Sequence, residues 1–104
     1  MTLGVRGIVT DTSGAVLLVR HTYTKGWHLP GGGVERGESA VTSLKRELEE
    51  EAGVSPLGVP VLLGCYANQN FPNDHILTYR VERWRGVDTD SGQEIAERAF
   101  FTLD

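Results

Sequence analysis

Cysteine is almost absent from this sequence, with Cys65 alone among 104 residues. No disulfide can close within the chain, so a small cross-linked secreted scaffold is excluded. Long apolar runs are missing too, and nothing approaches the roughly 20 residues of a membrane-spanning helix. The opening Met1-Thr2-Leu3-Gly4-Val5-Arg6 lacks the apolar stretch of a secretory signal. A soluble, cytoplasmic protein with no membrane partner is expected. Basic residues are in deficit, 10 Lys and Arg against 14 Asp and Glu, giving a formal charge of −4. An extended nucleic-acid surface needs the opposite balance. A small phosphate-bearing ligand stays compatible, because a bound divalent cation reverses the local field. His21, His28 and His75 lack the paired spacing of a zinc site. Repeats, low-complexity tracts and linkers are lacking as well. The expected organisation is one domain, residues 1–104, with a modest core.

Glycine is what the chain has in abundance, 13 in all, with Gly31-Gly32-Gly33 and Gly37 close together. The start reads as a hairpin: Val5–Val9, a turn at Asp11-Thr12-Ser13-Gly14, then Ala15–Arg20. His21–Gly26 reads as a loop and Trp27-His28-Leu29 as a short extended piece. Pro30 and the glycines after it are expected to end regular structure. From Ser39 to Ala52 the period becomes helical, with Ala40, Val41, Leu44, Leu48 and Ala52 on one face. Ser39 is the expected N-cap and Gly53 the left-handed C-terminal cap. Val59–Ala67 and Ile76–Trp84 read as strands around a polar loop, Gly86–Gly92 as loop, and Ala99–Leu103 as a last strand. Strands on both sides of a helix point to an α+β or α/β domain.

The helix breaks local rules. Glu47, Glu49, Glu50 and Glu51 crowd its last turns, where like charges repel and anions oppose the macrodipole. At about 100° per residue, Glu47, Glu50 and Glu51 share an arc and Glu49 points to solvent. A repeated local conflict suggests function. A hard divalent cation, Mg²⁺ or Mn²⁺, would relieve it while keeping water and phosphate oxygens as further ligands. A solvated acidic face is the alternative.

Around these acids lies a longer pattern: Gly32, five residues, Glu38, seven residues, then Arg46-Glu47-Leu48-Glu49-Glu50-Glu51-Ala52-Gly53-Val54. It matches the complete Nudix signature, and by residue usage a chance match is on the order of one in ten million or rarer. The lead-in Trp27-His28-Leu29-Pro30-Gly31-Gly32 also resembles the usual approach to this box. The chain thus resembles the MutT/Nudix family, specifically over residues 27–54 and loosely from about Val5 onwards. The resemblance implies an α/β/α sandwich with a mixed sheet and a loop–helix–loop. It implies Mg²⁺-dependent hydrolysis of a nucleoside diphosphate linked to another group. Glu50 and Glu51 then match the metal-binding pair, with the Gly31 carbonyl facing the same ion. Glu47 matches a position that serves as metal ligand or as base for the attacking water. Arg46, aided by Glu38, would hold the glutamates by ion pairing.

Other residues carry weaker cases. Glu94 or Glu97 could supply a further acid, against the alternative of exposed loop acids. Arg20 could meet a substrate phosphate or be an ordinary surface arginine, and Trp27, Tyr23, Tyr66 or Phe71 could stack on a base or pack in the core or at its rim. His28 could orient substrate beside the glycines, against the alternative of a simple structural role, and Cys65 is expected as a buried small hydrophobe. The family usually continues past Phe100-Phe101-Thr102-Leu103-Asp104 into a further helix. Without it a sheet face would be bare, which a homodimer could cover. No coenzyme A signature is evident, and Pro72 and Tyr66 are only suggestive of a dinucleotide or ADP-ribose marker. The competing functional readings are a non-catalytic nucleotide-binding or regulatory module and a 5′-end RNA pyrophosphohydrolase. Non-catalytic members normally lose a box acid and none is lost here; the negative charge argues against RNA.

Overall fold

The computed structural model describes residues 2–67, 71, 73–89 and 95–102. Among the described residues nine strands and one helix follow in order: β1 Thr2–Val9, β2 Val16–His21, β3 Trp27–His28, β4 Gly31–Gly33, α1 Ala40–Glu47, β5 Val54–Pro56, β6 Val61–Ala67, β7 Asp74–Val81, β8 Trp84–Gly86 and β9 Ile95–Phe101. A π-helical turn, Leu48–Ala52, continues α1 directly. The architecture is α+β.

The strands form two main sheets. One has the order β4-β1-β7-β6, and the other β3-β2-β9, with β5 and β8 as a small ribbon. Mixed pairing centres on β1, which runs parallel to β7 from Thr2↔Asp74 to Val9↔Val81. It runs antiparallel to β4 from Gly4↔Gly33 to Arg6↔Gly31. The expected hairpin is therefore corrected: β1 and β2 enter different sheets and share one isolated bridge, Thr10↔Val16. Asp11 holds the turn between them, its carboxylate accepting from the N–H groups of Ser13 and Ala15 at 2.9 and 3.0 Å.

The glycine run is also corrected, since Gly31–Gly33 is a strand rather than an end to regular structure. The absence of side chains permits it: a Cβ on Gly31 would lie 2.0 Å from the Val5 carbonyl oxygen. Glycine is what lets this backbone approach β1 so closely. Gly32 has the same role toward the helix, where a Cβ would lie 2.6 Å from the Glu47 carboxyl.

Ser39 caps α1 as expected, its hydroxyl accepting from Thr42 N–H at 3.1 Å. Leu44, Leu48 and Ala52 enter a core with Val5, Val9, Leu17, Val19, Val54, Tyr79, Val81 and Ile95, and Ala40 packs at its edge. Val41 leaves the expected face and is 41% exposed, while Ser43 is buried in its stead. Ser43 is satisfied there by donating to Glu38 at 2.7 Å. Gly53 ends the π turn at φ 67, as a left-handed cap should.

Beyond the helix, the expected strand Ile76–Trp84 divides into β7 and β8, and the three-residue β5 pairs with β8. Trp84 donates from Nε1 to the Thr10 carbonyl at 2.9 Å, which ties this ribbon to the end of β1. Cys65 is exposed on β6, not buried. Among the described residues no helix is long and apolar enough to cross a membrane.

Candidate active site

Arg46 organises the acids. Its Nε donates to Glu38 Oε2 at 2.9 Å, Nη2 to Glu38 Oε1 at 3.0 Å, and Nη1 to Glu47 Oε1 at 2.7 Å. Nη2 also reaches the Gly33 carbonyl at 3.3 Å, which ties the helix to β4. Glu38 is held well down, at about 2, chiefly by the Arg46 hydrogen bonds and then by Ser43. Glu38 first, then Glu47, keep the Arg46 guanidinium firmly charged. The supporting role expected of Arg46 and Glu38 thus has a full set of contacts.

The expectation of three glutamates on one arc is corrected. A π turn closes through i→i+5 bonds, here from Gly53 N–H to the Leu48 carbonyl. It takes more residues per turn, so each step rotates less than the 100° of an α-helix. Over the steps from Glu47 this brings Glu51 back over Glu47 and turns Glu50 away. Glu51 is 8% exposed. The Glu50 side chain is 57% exposed, 3.7 Å from Arg46 Nη1, on a flank shared with Glu49 and Asp88. Glu49, expected in solvent, is half-buried. Thr89 Oγ1 donates to the Glu50 carbonyl and Arg98 Nε to the Glu51 carbonyl, so side chains satisfy the last carbonyls of the turn.

Glu47 and Glu51 line a cavity of about 380 Å³ with Gly31, Gly32, Arg6, His21, Tyr23, Thr24 and His28. Burial pushes the Glu47 carboxyl up, and the charges of Glu51 and Glu50 add to this, against the opposing pull of Arg46. Glu51 is held on both oxygens. Oε1 accepts from Gly31 N–H at 3.0 Å, and Oε2 lies 3.2 Å from His21 Nε2. His21, Tyr23 and His28 form one wall, their rings 5.2 and 5.7 Å from His21. Arg6 donates to the Leu29 carbonyl at 3.2 Å.

Among the described residues no group of three or more His, Cys, Asp and Glu side chains surrounds one point. The donor set still suits a hard cation. Mg²⁺ is commonly held by one or two carboxylates, with water and substrate phosphate filling the rest. Two facing carboxylates, one made costly to ionise by burial, fit that description.

Other sequence candidates lie elsewhere. Arg20 pairs with Glu97 across β2 and β9, at 2.6 and 2.9 Å, and does not line the cavity. Glu97 is therefore an ion-paired strand residue instead of a loop acid, while Glu94 and Pro72 fall outside the described residues. Trp27 packs edge-on against Phe101 with centroids 4.9 Å apart, also away from the cavity. Tyr66 and Phe71 are exposed and His75 lies on β7, none of them lining it. His28 lies in the cavity wall, its Nε2 3.0 Å from the Lys25 carbonyl. Of the lining residues that sequence reasoning passed over, Arg6 and His21 are the two ionisable ones. Both carried a signal: alternation puts a polar side chain at His21 after Leu17 and Val19, and a cation in the middle of apolar β1.

Helix carboxylates set against a glycine strand, in a mixed-sheet domain, define a recognisable class. The family profile of the NUDIX domain matches residues 1–104, and the chain belongs to that family. A MutT-like protein of Streptomyces ambofaciens is 32% identical over 94 residues, covering 90% of this chain and 60% of that protein. An RNA pyrophosphohydrolase of Halorhodospira halophila is 44% identical over 55 residues, covering 53% of this chain and 30% of that protein. The chain thus spans 30% to 60% of the length of these two relatives. A MutT NUDIX hydrolase from Burkholderia pseudomallei superposes with a TM-score of 0.81 at 22% identity, over 96% of this chain and 81% of that one. For a NUDIX hydrolase from Nitrosomonas europaea the values are 0.76 and 25%, over 98% and 72%. Likeness at these identities speaks for the fold.

Proposed function

We propose that this chain hydrolyses a diphosphate linkage in a nucleoside diphosphate joined to another group, with Mg²⁺ or Mn²⁺ held by the helix acids. The observation that carries this reading is the Glu47–Glu51 pair facing Gly31 and Gly32 in one cavity. Glu51 would hold the cation with the Gly31 carbonyl, the exposed Glu50 would join by giving up its long pair with Arg46, and Glu47 would serve either as a further ligand or as the base for the attacking water. When bound, the cation neutralises phosphoryl charge and makes water a better nucleophile. Glu47 is the acid whose burial raises its proton affinity, which suits it to take the proton of the attacking water. Arg46 keeps that carboxylate aimed. Arg6, which lines the cavity and donates to the Leu29 carbonyl, is the cation suited to the phosphate oxygens. His28 and Tyr23 offer ring faces to the remainder of the substrate.

The test is a panel of nucleoside triphosphates, ADP-ribose, nucleotide sugars, dinucleoside polyphosphates and 5′-triphosphorylated RNA, each with Mg²⁺. Turnover of at least one is expected, with loss of orders of magnitude in Glu51→Gln. Tight nucleotide binding with no turnover on any member would select the non-catalytic reading instead. RNA is included because a relative bears that name, although a charge of −4 disfavours an extended RNA surface.

A further inference from the structure

We propose that His21 is a positioning residue whose hydrogen bond aims the Glu51 carboxylate, so that divalent-metal affinity depends on it. The inference rests on the reading that Glu51 holds the cation. The two residues are 7% and 8% exposed and their side chains meet at 3.2 Å. A carboxylate accepts, so His21 donates through Nε2–H. Glu51 spends its other oxygen on Gly31 N–H at 3.0 Å. The two anchors belong to different sheets, Gly31 to β4 beside β1 and His21 to the end of β2. Each oxygen keeps a lone pair for the cavity, and neither can swing away without breaking a bond to the frame. A glutamate on an exposed helix would have several rotamers to lose before binding an ion. Here that ordering is complete beforehand, and His21 supplies half of it. Hydrogen-bonding partners behind a metal's ligands typically alter affinity 10–100-fold when removed.

The experiment measures Mn²⁺ binding directly, by electron paramagnetic resonance of free Mn²⁺ with no substrate present. The variants are His21→Leu, His21→Gln and His21→Asn. Leu keeps bulk without a donor, Gln places an amide N–H where Nε2 stood, and Asn is too short to reach. Kd should rise 10–100-fold in H21L and H21N but stay within about threefold of wild type in H21Q. If H21L does not fold, the contrast of H21Q with H21N carries the test, since a purely structural histidine would not sort amides by donor position. Equal affinity in H21N and H21Q, or wild-type affinity in H21L, overturns the proposal while leaving the metal reading intact. Failure of the wild-type protein to bind Mn²⁺ overturns both.

Discussion

One guanidinium, Arg46, lies within 4 Å of four carboxylates, the nearest belonging to Glu47 and Glu38 and the more distant to Glu35 and Glu50. The strongest of these links shows itself in acid. Glu38 falls from its ordinary 4.5 to about 2 in the folded protein. A depressed carboxyl stabilises the fold above its unfolded value, and that contribution is lost as pH falls from about 4.5 toward 2. Glu38→Gln should therefore lower Tm at pH 6, and the gap from wild type should narrow steadily as pH falls from about 4.5 toward 2. A gap that stays constant in thermal scans over this range would rule out the linkage. Arg46→Lys keeps the charge but not the fork, so one of the Glu38 and Glu47 bonds must go. The expected result is reduced turnover with the variant still folded.

At the scale of elements, β4 makes a sharp pair of predictions. A methyl on Gly31 meets backbone, the Val5 carbonyl oxygen at 2.0 Å, whereas one on Gly32 meets the movable end of Glu47 at 2.6 Å. Gly31→Ala should cost about 3 kcal/mol in urea denaturation, as overpacking against a fixed partner does. Gly32→Ala should leave stability within about 1 kcal/mol but lower kcat about 100-fold, the scale of an ångström's misplacement. Equal destabilisation by both would contradict the arrangement. Helix α1, its cap and its Gly53 stop were legible because each rests on local chemistry within a few residues. The strands around Val5, Val19, Cys65 and Leu77 were legible as strands, but not their partners. Pairing is decided by contacts distant in sequence, as when Gly31 finds Arg6. The outward turn of Glu50 was illegible because spacing rules assume an α-helix throughout, and a π turn rewrites the angles after Glu47. His21 was hidden for a similar reason, since its partner lies 30 residues away.

For the molecule as a whole, a cation bound only by the folded chain adds stability by mass action. At a hundredfold excess over Kd the gain is about 2.7 kcal/mol, so Mg²⁺ should raise Tm measurably and Glu51→Gln should abolish the rise. A second global property follows from β6, which edges its sheet and exposes Val61, Leu62, Leu63 and Tyr66 at 45, 52, 44 and 58%. A long apolar edge strand invites pairing with another chain. Light scattering should grow with protein concentration, and Leu63→Lys should suppress that growth; a homodimer through this edge is the arrangement that would cover it. The parallel ladder between β1 and β7 has a consequence in time. Thr2 and Asp74, bonded through their side chains, stand 72 residues apart, and β1 has no neighbour on that side until β7 arrives. Pairing over such a distance must close a long loop before it gains any contact, which places refolding in the millisecond-to-second range typical of non-local topologies. During synthesis the β7 side of β1 would stay open until the ribosome had passed Val81, so the sheet that carries the glycine strand would close late.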